Sequence, residues 1–335
     1  MEKKDFLNTE LPDIIELKNI VQRYDGADTP PVIQDFNLLI EDKKDVGQFV
    51  VLMGASGCGK STVLRYICGL QKPTSGEILI KGKNISDNDR VPMVFQSYSS
   101  FPWKTVLENV AIGLEYQGVP KKERNERAME MIQLVGLDGH ENKYAKYPLL
   151  SGGQLQRVAI ARNLVVNSEI LILDEPFGAL DVLTRVKMQE VLKKIWQTMK
   201  PTIILVTHAV DEAVFLGDDI YVMTAGPGHI VHHKQTGFLL RENDVKRTNE
   251  FRDTVDDLTE TIVKIGEQAK TRLASQKQVR LALEIERKKK SMFYGWFGKK
   301  EIVTPEIPNV TPTQVTSTEK QVERPAEEVK KVRRL

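Results

Sequence analysis

Gly54, Ala55, Ser56, Gly57, Cys58, Gly59, Lys60 and Ser61 run out of a short apolar stretch and, with Thr62, into helical spacing. Glycines let successive backbone N–H groups turn inward around an anion, and a helix starting behind them adds the positive end of its dipole. Such a loop takes a nucleotide phosphate. The Lys60 amine is then a point charge for the β- and γ-phosphates, and the Ser61 hydroxyl is a ligand for Mg²⁺. Further along, the apolar run Ile170 to Leu173 ends on Asp174 and Glu175. A carboxylate at a strand end meets the same crevice and can hold Mg²⁺ directly or through water, which suits Asp174. Neighbouring side chains of an extended chain point to opposite sides. Glu175 is thereby left for a second task, orienting and deprotonating an attacking water as general base. His208 follows the apolar run Ile203 to Val206 and emerges at the same edge. A histidine at a strand end is often structural; beside this acid pair it is expected to contact the γ-phosphate and the water.

These groups need a sheet to bring their strand ends together, and the chain supplies one. Residues 14–240 alternate strand-length apolar runs with helical spacing, an α/β pattern. Phe49 to Met53, Ile170 to Leu173 and Ile203 to Val206 are continuously apolar, as expected for strands covered on both faces. From about 97 to 160 the strand signals fade, and Val119-Pro120 opens a helix through Met129, Ile132 and Val135. This reads as a helical subdomain. Residues 241–290 read as a helical extension in which Phe251, Val255, Leu258, Ile262, Ile265 and Ala269 form a narrow apolar stripe. That stripe suits packing on its own domain, or a dimer or partner seam. Residues 291–335 read as the end of a basic, aromatic segment followed by a disordered tail.

Composition sets outer bounds. At 335 residues with 41% apolar, the chain can bury a large core, which excludes wholesale disorder. The two cysteines, Cys58 and Cys68, suggest no disulfide framework and fit a reducing compartment. No secretory leader is expected at the N-terminus, and no apolar run approaches the ~20 residues that span a bilayer. After residue 286 there are 12 Lys and Arg against 6 Asp and Glu, a net of +6. The whole chain carries +2, so the rest carries −4, and the main body is not a nucleic-acid surface. Basic residues around Met292 to Phe297 suit either an anionic membrane surface or a solvated tail with a small hydrophobic dock.

Leu150, Ser151, Gly152, Gly153 and Gln154, followed by Gln156 and Arg157, resemble the signature of the ATP-binding cassette (ABC) family when they precede an acidic strand as here. The resemblance implies a P-loop ATPase core with ATP and Mg²⁺ as its cofactors. Ser151 and the two glycines would open a helix near Gln154, whose N-terminus contacts the γ-phosphate held by the opposite copy. Hydrolysis then requires a homodimer with two composite sites. By the same resemblance Gln96 senses Mg²⁺ and couples the site to a membrane partner, residues 178–181 with Asp181 cross the dimer interface, and Tyr24 stacks on adenine. Phe101-Pro102-Trp103, Thr184-Arg185 and Gly226-Pro227-Gly228 look most like the importer ATPases for nitrate, aliphatic sulfonates and taurine. That branch implies integral-membrane permease subunits, an extracytoplasmic solute-binding protein and a peripheral position on the cytoplasmic face of the membrane. A soluble ABC ATPase of DNA repair or translation is the alternative. It is disfavoured by a single cassette and by about 90 residues between Ser61 and Ser151, too few for a long coiled coil. Residues beyond 240 exceed the compact importer pattern.

Overall fold

Three strands carry the site, and each owes its place to apolar residues on both of its faces. In the strand Gln48–Gly54, Phe49, Val51 and Met53 enter one core, while Val50 and Leu52 enter a second on the other side. Ile170–Asp174 and Thr202–Val206 divide their side chains the same way. Such strands stay central because either face, left uncovered, would return apolar area to water at about 25 cal/mol per Å².

The computed structural model describes residues 13–24, 26, 29–43, 46–85, 90–96, 99–236, 245–271 and 274, all within the unit Met1–Val279. In chain order the strands are β1 Ile15–Gln22, β2 Ile33–Ile40, β3 Gln48–Gly54, β4 Ser75–Ile80, β5 Lys83–Asn84, β6 Met93–Val94, β7 Ile170–Asp174, β8 Thr202–Val206, β9 Asp219–Thr224 and β10 His229–Gln235. The helices are α1 Lys60–Ile67, α2 Val106–Tyr116, α3 Lys121–Leu134, α4 Gly152–Leu164, α5 Val182–Met199 and α6 Val210–Leu216. A turn at Val245–Arg247 leads to a seventh helix, α7, at 249–271.

One sheet runs β10-β9-β3-β8-β7-β6, parallel from β9 to β6 with β10 antiparallel at the edge. The second, β2-β1-β4-β5, is antiparallel. Helix α1 and the antiparallel sheet share the second core, with Ile15, Leu17, Phe36, Leu64 and Tyr66 all fully or nearly fully buried. Helices α4, α5 and α6 meet the other face of the parallel sheet, and α2 and α3 pack on α4. Parallel strands whose C-terminal ends point one way leave a crevice there, and β3, β7 and β8 end at it.

Helix α3 starts behind Pro120, where a missing N–H costs nothing. Helix α2 is set by a full capping box between Thr105 and Glu108. The apolar stripe of α7 packs on this chain's own core: Phe251 and Leu258 are buried, with Val255, Ile262 and Ile265 against them. The basic, aromatic segment and the tail lie outside the described residues.

Candidate active site

The loop between β3 and α1 has its crest in solvent at Ala55, Ser56 and Gly57, while Cys58 turns its thiol into the core. Burial pushes that thiol's pKa up, so Cys58 can meet a ligand only through its backbone. Gly59 caps α1 with φ 103, a left-handed conformation that an L side chain resists, and a Cβ there would stand 2.8 Å from Ile33 Cγ1. The Lys60 ammonium is nearly buried and donates to the Gly54 carbonyl at 2.9 Å and the Ala55 carbonyl at 3.1 Å. It therefore sits across the mouth of the loop. Thr62 meets the Tyr24 hydroxyl at 3.2 Å, and Gln71 donates to the same oxygen at 3.4 Å, which leaves the Tyr24 ring 53% exposed beside α1.

The acid pair ends β7. Burial raises the pKa of Asp174, and the Ser61 hydroxyl bonded to it opposes that rise. Two hard oxygen donors side by side suit Mg²⁺, which takes few protein ligands and completes its octahedron with phosphate and water oxygens. Glu175 is the member that departs from expectation. Its φ is 47, so the chain turns through a left-handed residue instead of continuing the extended alternation. The two carboxylates part company as expected, but because of that turn. Its backbone N–H donates to the Val206 carbonyl at 3.0 Å, and its own carbonyl accepts from Gly178 at 3.2 Å. The side chain accepts from Gln96 Nε2 at 3.1 Å on one oxygen and lies 2.7 Å from His208 Nε2 on the other. Glu175 is thus gripped from two sides with its carboxylate still 25% exposed.

Ser151, Gly152, Gly153 and Gln154 form a separate group. Helix α4 starts at Gly152, earlier than the expected start near Gln154, because Ser151 is itself the cap. Ser151 Oγ accepts from the Gln154 N–H at 3.3 Å, and the Gln154 side chain accepts from the Ser151 N–H at 2.9 Å. Gln154 also meets His140 Nε2 at 2.9 Å. Asp181 caps α5 by accepting from Thr184 at 3.0 Å. Its loop begins against the acid pair, since a Cβ on Gly178 would lie 3.9 Å from both Gln96 Nε2 and Glu175 Oε2. One chain therefore assembles the phosphate loop, Asp174, Glu175, Gln96 and His208 in one crevice, while the serine-glycine turn opens α4 and bonds within itself and to His140.

Two elements meet the loop that the sequence does not place there. Helix α7 reaches the crevice: a cavity of about 210 Å³ is lined by Gly54, Ala55 and His208 on one side and by Ile262, Ile265 and Gly266 on the other. Gly228 backs the loop, bridging to Ile33, and a Cβ on it would fall 2.0 Å from the Cys58 carbonyl oxygen and 3.3 Å from that of Val32. Both obstacles are backbone, so no rotamer relieves them. Gly228→Ala should weaken nucleotide binding by about tenfold by pushing the loop out of shape. A nucleotide titration followed by fluorescence measures this, and unchanged affinity would show that the loop does not depend on its backing.

Residues 42–178 match the family model described as ABC transporter. The taurine import ATP-binding protein TauB of Escherichia coli O157:H7 is 40% identical over 229 residues, covering 68% of this chain and 86% of the relative. The nitrate import ATP-binding protein NrtD of Synechocystis sp. is 47% identical over 200 residues, covering 59% and 73%. Among solved structures, a dimeric post-hydrolysis state of the ATP-binding cassette MJ0796 bound to ADP and Pi superposes with a TM-score of 0.57. It is 33% identical, over 66% of this chain and 98% of that one.

Proposed function

Since the chain belongs to the ABC transporter ATP-binding family, an ATPase family, we propose that it powers an importer for taurine, nitrate or a similar small solute. Two copies close around MgATP and move a permease whose cargo is delivered by an extracytoplasmic binding protein. The observation that carries this reading is Glu175, gripped by His208 and Gln96 beside the Asp174–Ser61 pair.

Lys60 exchanges the Gly54 and Ala55 carbonyls for β- and γ-phosphate oxygens, and the backbone of residues 54–59 rings the same phosphates. Ser61 and Asp174, with Gln96, would hold Mg²⁺, which would supply positive charge to neutralise that developing on the phosphates. Glu175 takes a proton from the water that attacks the γ-phosphorus, and His208 steadies both. The N-terminus of α4 in the second copy, at Ser151, Gly152, Gly153 and Gln154, supplies N–H groups to the γ-phosphate from the other side. Asp181 lies along the join. The Tyr24 ring stacks on adenine. Closure is a population shift, since ATP can favour the closed dimer only by binding it more tightly than the open one.

In this reading residues 14–240 are the ATPase domain, with a helical subdomain at about 97–160, and 241–290 are a helical extension. No helix among the described residues is long and apolar enough to cross a membrane. The chain is then a peripheral subunit on the cytoplasmic face, held there by its permease. The test is reconstitution of the chain with its permease and binding protein in liposomes. Taurine or nitrate on the binding protein should raise ATP hydrolysis, and hydrolysis that ignores permease, binding protein and solute alike would end the importer reading.

A further inference from the structure

A closed ring of contacts begins and ends on Glu175 and, besides His208 and the loop 178–181, passes through Arg185, Glu212 and Thr207, to which the reading above gives no part. From the Glu175 carbonyl it runs through the Gly178 N–H at 3.2 Å into the loop that ends at Leu180 and Asp181. The Leu180 carbonyl accepts from Arg185 Nη2 at 3.5 Å, in the first turn of α5. Arg185 Nε lies 3.5 Å from Glu212 Oε1, and Glu212 Oε2 accepts from the Thr207 hydroxyl at 2.5 Å. Thr207 precedes His208, whose Nε2 lies 2.7 Å from Glu175 Oε1 and closes the ring.

Thr207 does more than adjoin the histidine. Its hydroxyl oxygen also accepts from the Ala209 N–H at 3.1 Å, so one side chain fixes the backbone on both sides of His208. Ala209, the cap residue of α6, has no side-chain oxygen of its own for this task. Glu212 and Thr207 are only 3% and 4% exposed. Burial raises the Glu212 pKa, with Thr207 and Arg185 opposing that rise. A carboxylate in so dry a place costs free energy unless hydrogen-bonded and paired. Surface residues would serve if the only need were to start a seven-residue helix.

We propose that Thr207, Glu212 and Arg185 are positioning residues that hold His208 against Glu175 and tie that contact to the loop 178–181. A second copy pressing on that loop would then be felt at the catalytic base, Glu175, which links closure to hydrolysis. The proposal rests on the reading of Glu175 and His208 as catalytic.

The experiment is steady-state ATP hydrolysis by the full chain over a range of ATP concentrations. Thr207→Val keeps the shape and removes the hydroxyl; it should lower kcat by about ten- to a hundredfold with KM for ATP within about twofold of wild type. Thr207→Ser, which restores the hydroxyl, should return kcat to near wild type. Glu212→Gln and Arg185→Met should lower kcat in the same way. Their double variant should be no worse than the poorer single one, because both break the same ring. Should Glu212→Gln fail to fold, the Thr207 pair decides alone. If Thr207→Val turns over like wild type while His208→Ala is inactive, the positioning idea falls and the catalytic reading stands. If His208→Ala itself turns over normally, the catalytic reading falls first. Loss of kcat together with a matching rise in KM and loss of thermal stability would reduce the ring to scaffolding and overturn the proposal.

Discussion

Glu175→Gln should lower steady-state ATP turnover by about a thousandfold while leaving ATP bound, the scale expected when a general base is removed. The substitution keeps the shape of the side chain and deletes its basicity. The two grips can largely persist, since a glutamine oxygen still accepts from Gln96 or from His208, and the amide can turn toward a histidine nitrogen that accepts. In the proposed mechanism nucleotide affinity comes from elsewhere, from Lys60, which spans the Gly54 and Ala55 carbonyls, and from the loop of residues 54–59. A variant that binds and cannot finish should accumulate as a nucleotide-filled dimer. Phosphate release and size-exclusion chromatography in MgATP read the two halves of this expectation. Turnover near the wild-type rate would move the base to another residue. A dead variant that stays monomeric would keep the base and remove the composite site.

The parallel half of this architecture is plain in the sequence because its central strands are apolar on both faces and each runs directly into residues that can do chemistry. Phe49 to Met53, Ile170 to Leu173 and Ile203 to Val206 need no partner to be recognised. The antiparallel sheet is not legible in the same way. In β1, Lys18 and Asn19 interrupt the apolar alternation at a register shift, and Asn19 takes φ 50. A bulge of that kind erases the period of two on which strand reading rests.

Glu175 shows how a local rule can lose to tertiary structure. A residue before proline is biased toward extended conformations, and Pro176 follows Glu175, yet Glu175 takes φ 47. A non-glycine residue there costs of order 1–3 kcal/mol and persists only when its surroundings over-determine it. Here Val206, Gly178, Gln96 and His208 do so together. Those partners are up to 79 residues distant in sequence, so spacing cannot announce them. The same holds for Gly228, which matters because it stacks on the Cys58 carbonyl. For α7 the stripe is visible, but whether it packs on this domain or on a second molecule depends on Leu258 reaching a core that the stripe does not describe.

Ser151→Asp should separate the two halves of the proposed composite site without disturbing the fold. Aspartate caps a helix as well as serine does. Ser151 already accepts from the Gln154 N–H within a capping box, so α4 should start where it does now. The new carboxylate would instead face a γ-phosphate brought by the second copy, and like charges placed together across an interface cost several kcal/mol. Turnover should fall by about a hundredfold or more, with no nucleotide-driven dimer. ATP affinity of the single chain should stay at the wild-type value, because the lysine loop and Asp174 belong to the other group of residues. If Ser151 served only as the cap, aspartate would replace it in that role, and thermal stability and catalysis would both stay near wild type. Hydrolysis at the wild-type rate in Ser151→Asp would mean that the N-terminus of α4 never meets the phosphate. The crevice around Glu175 would then have to work within one chain.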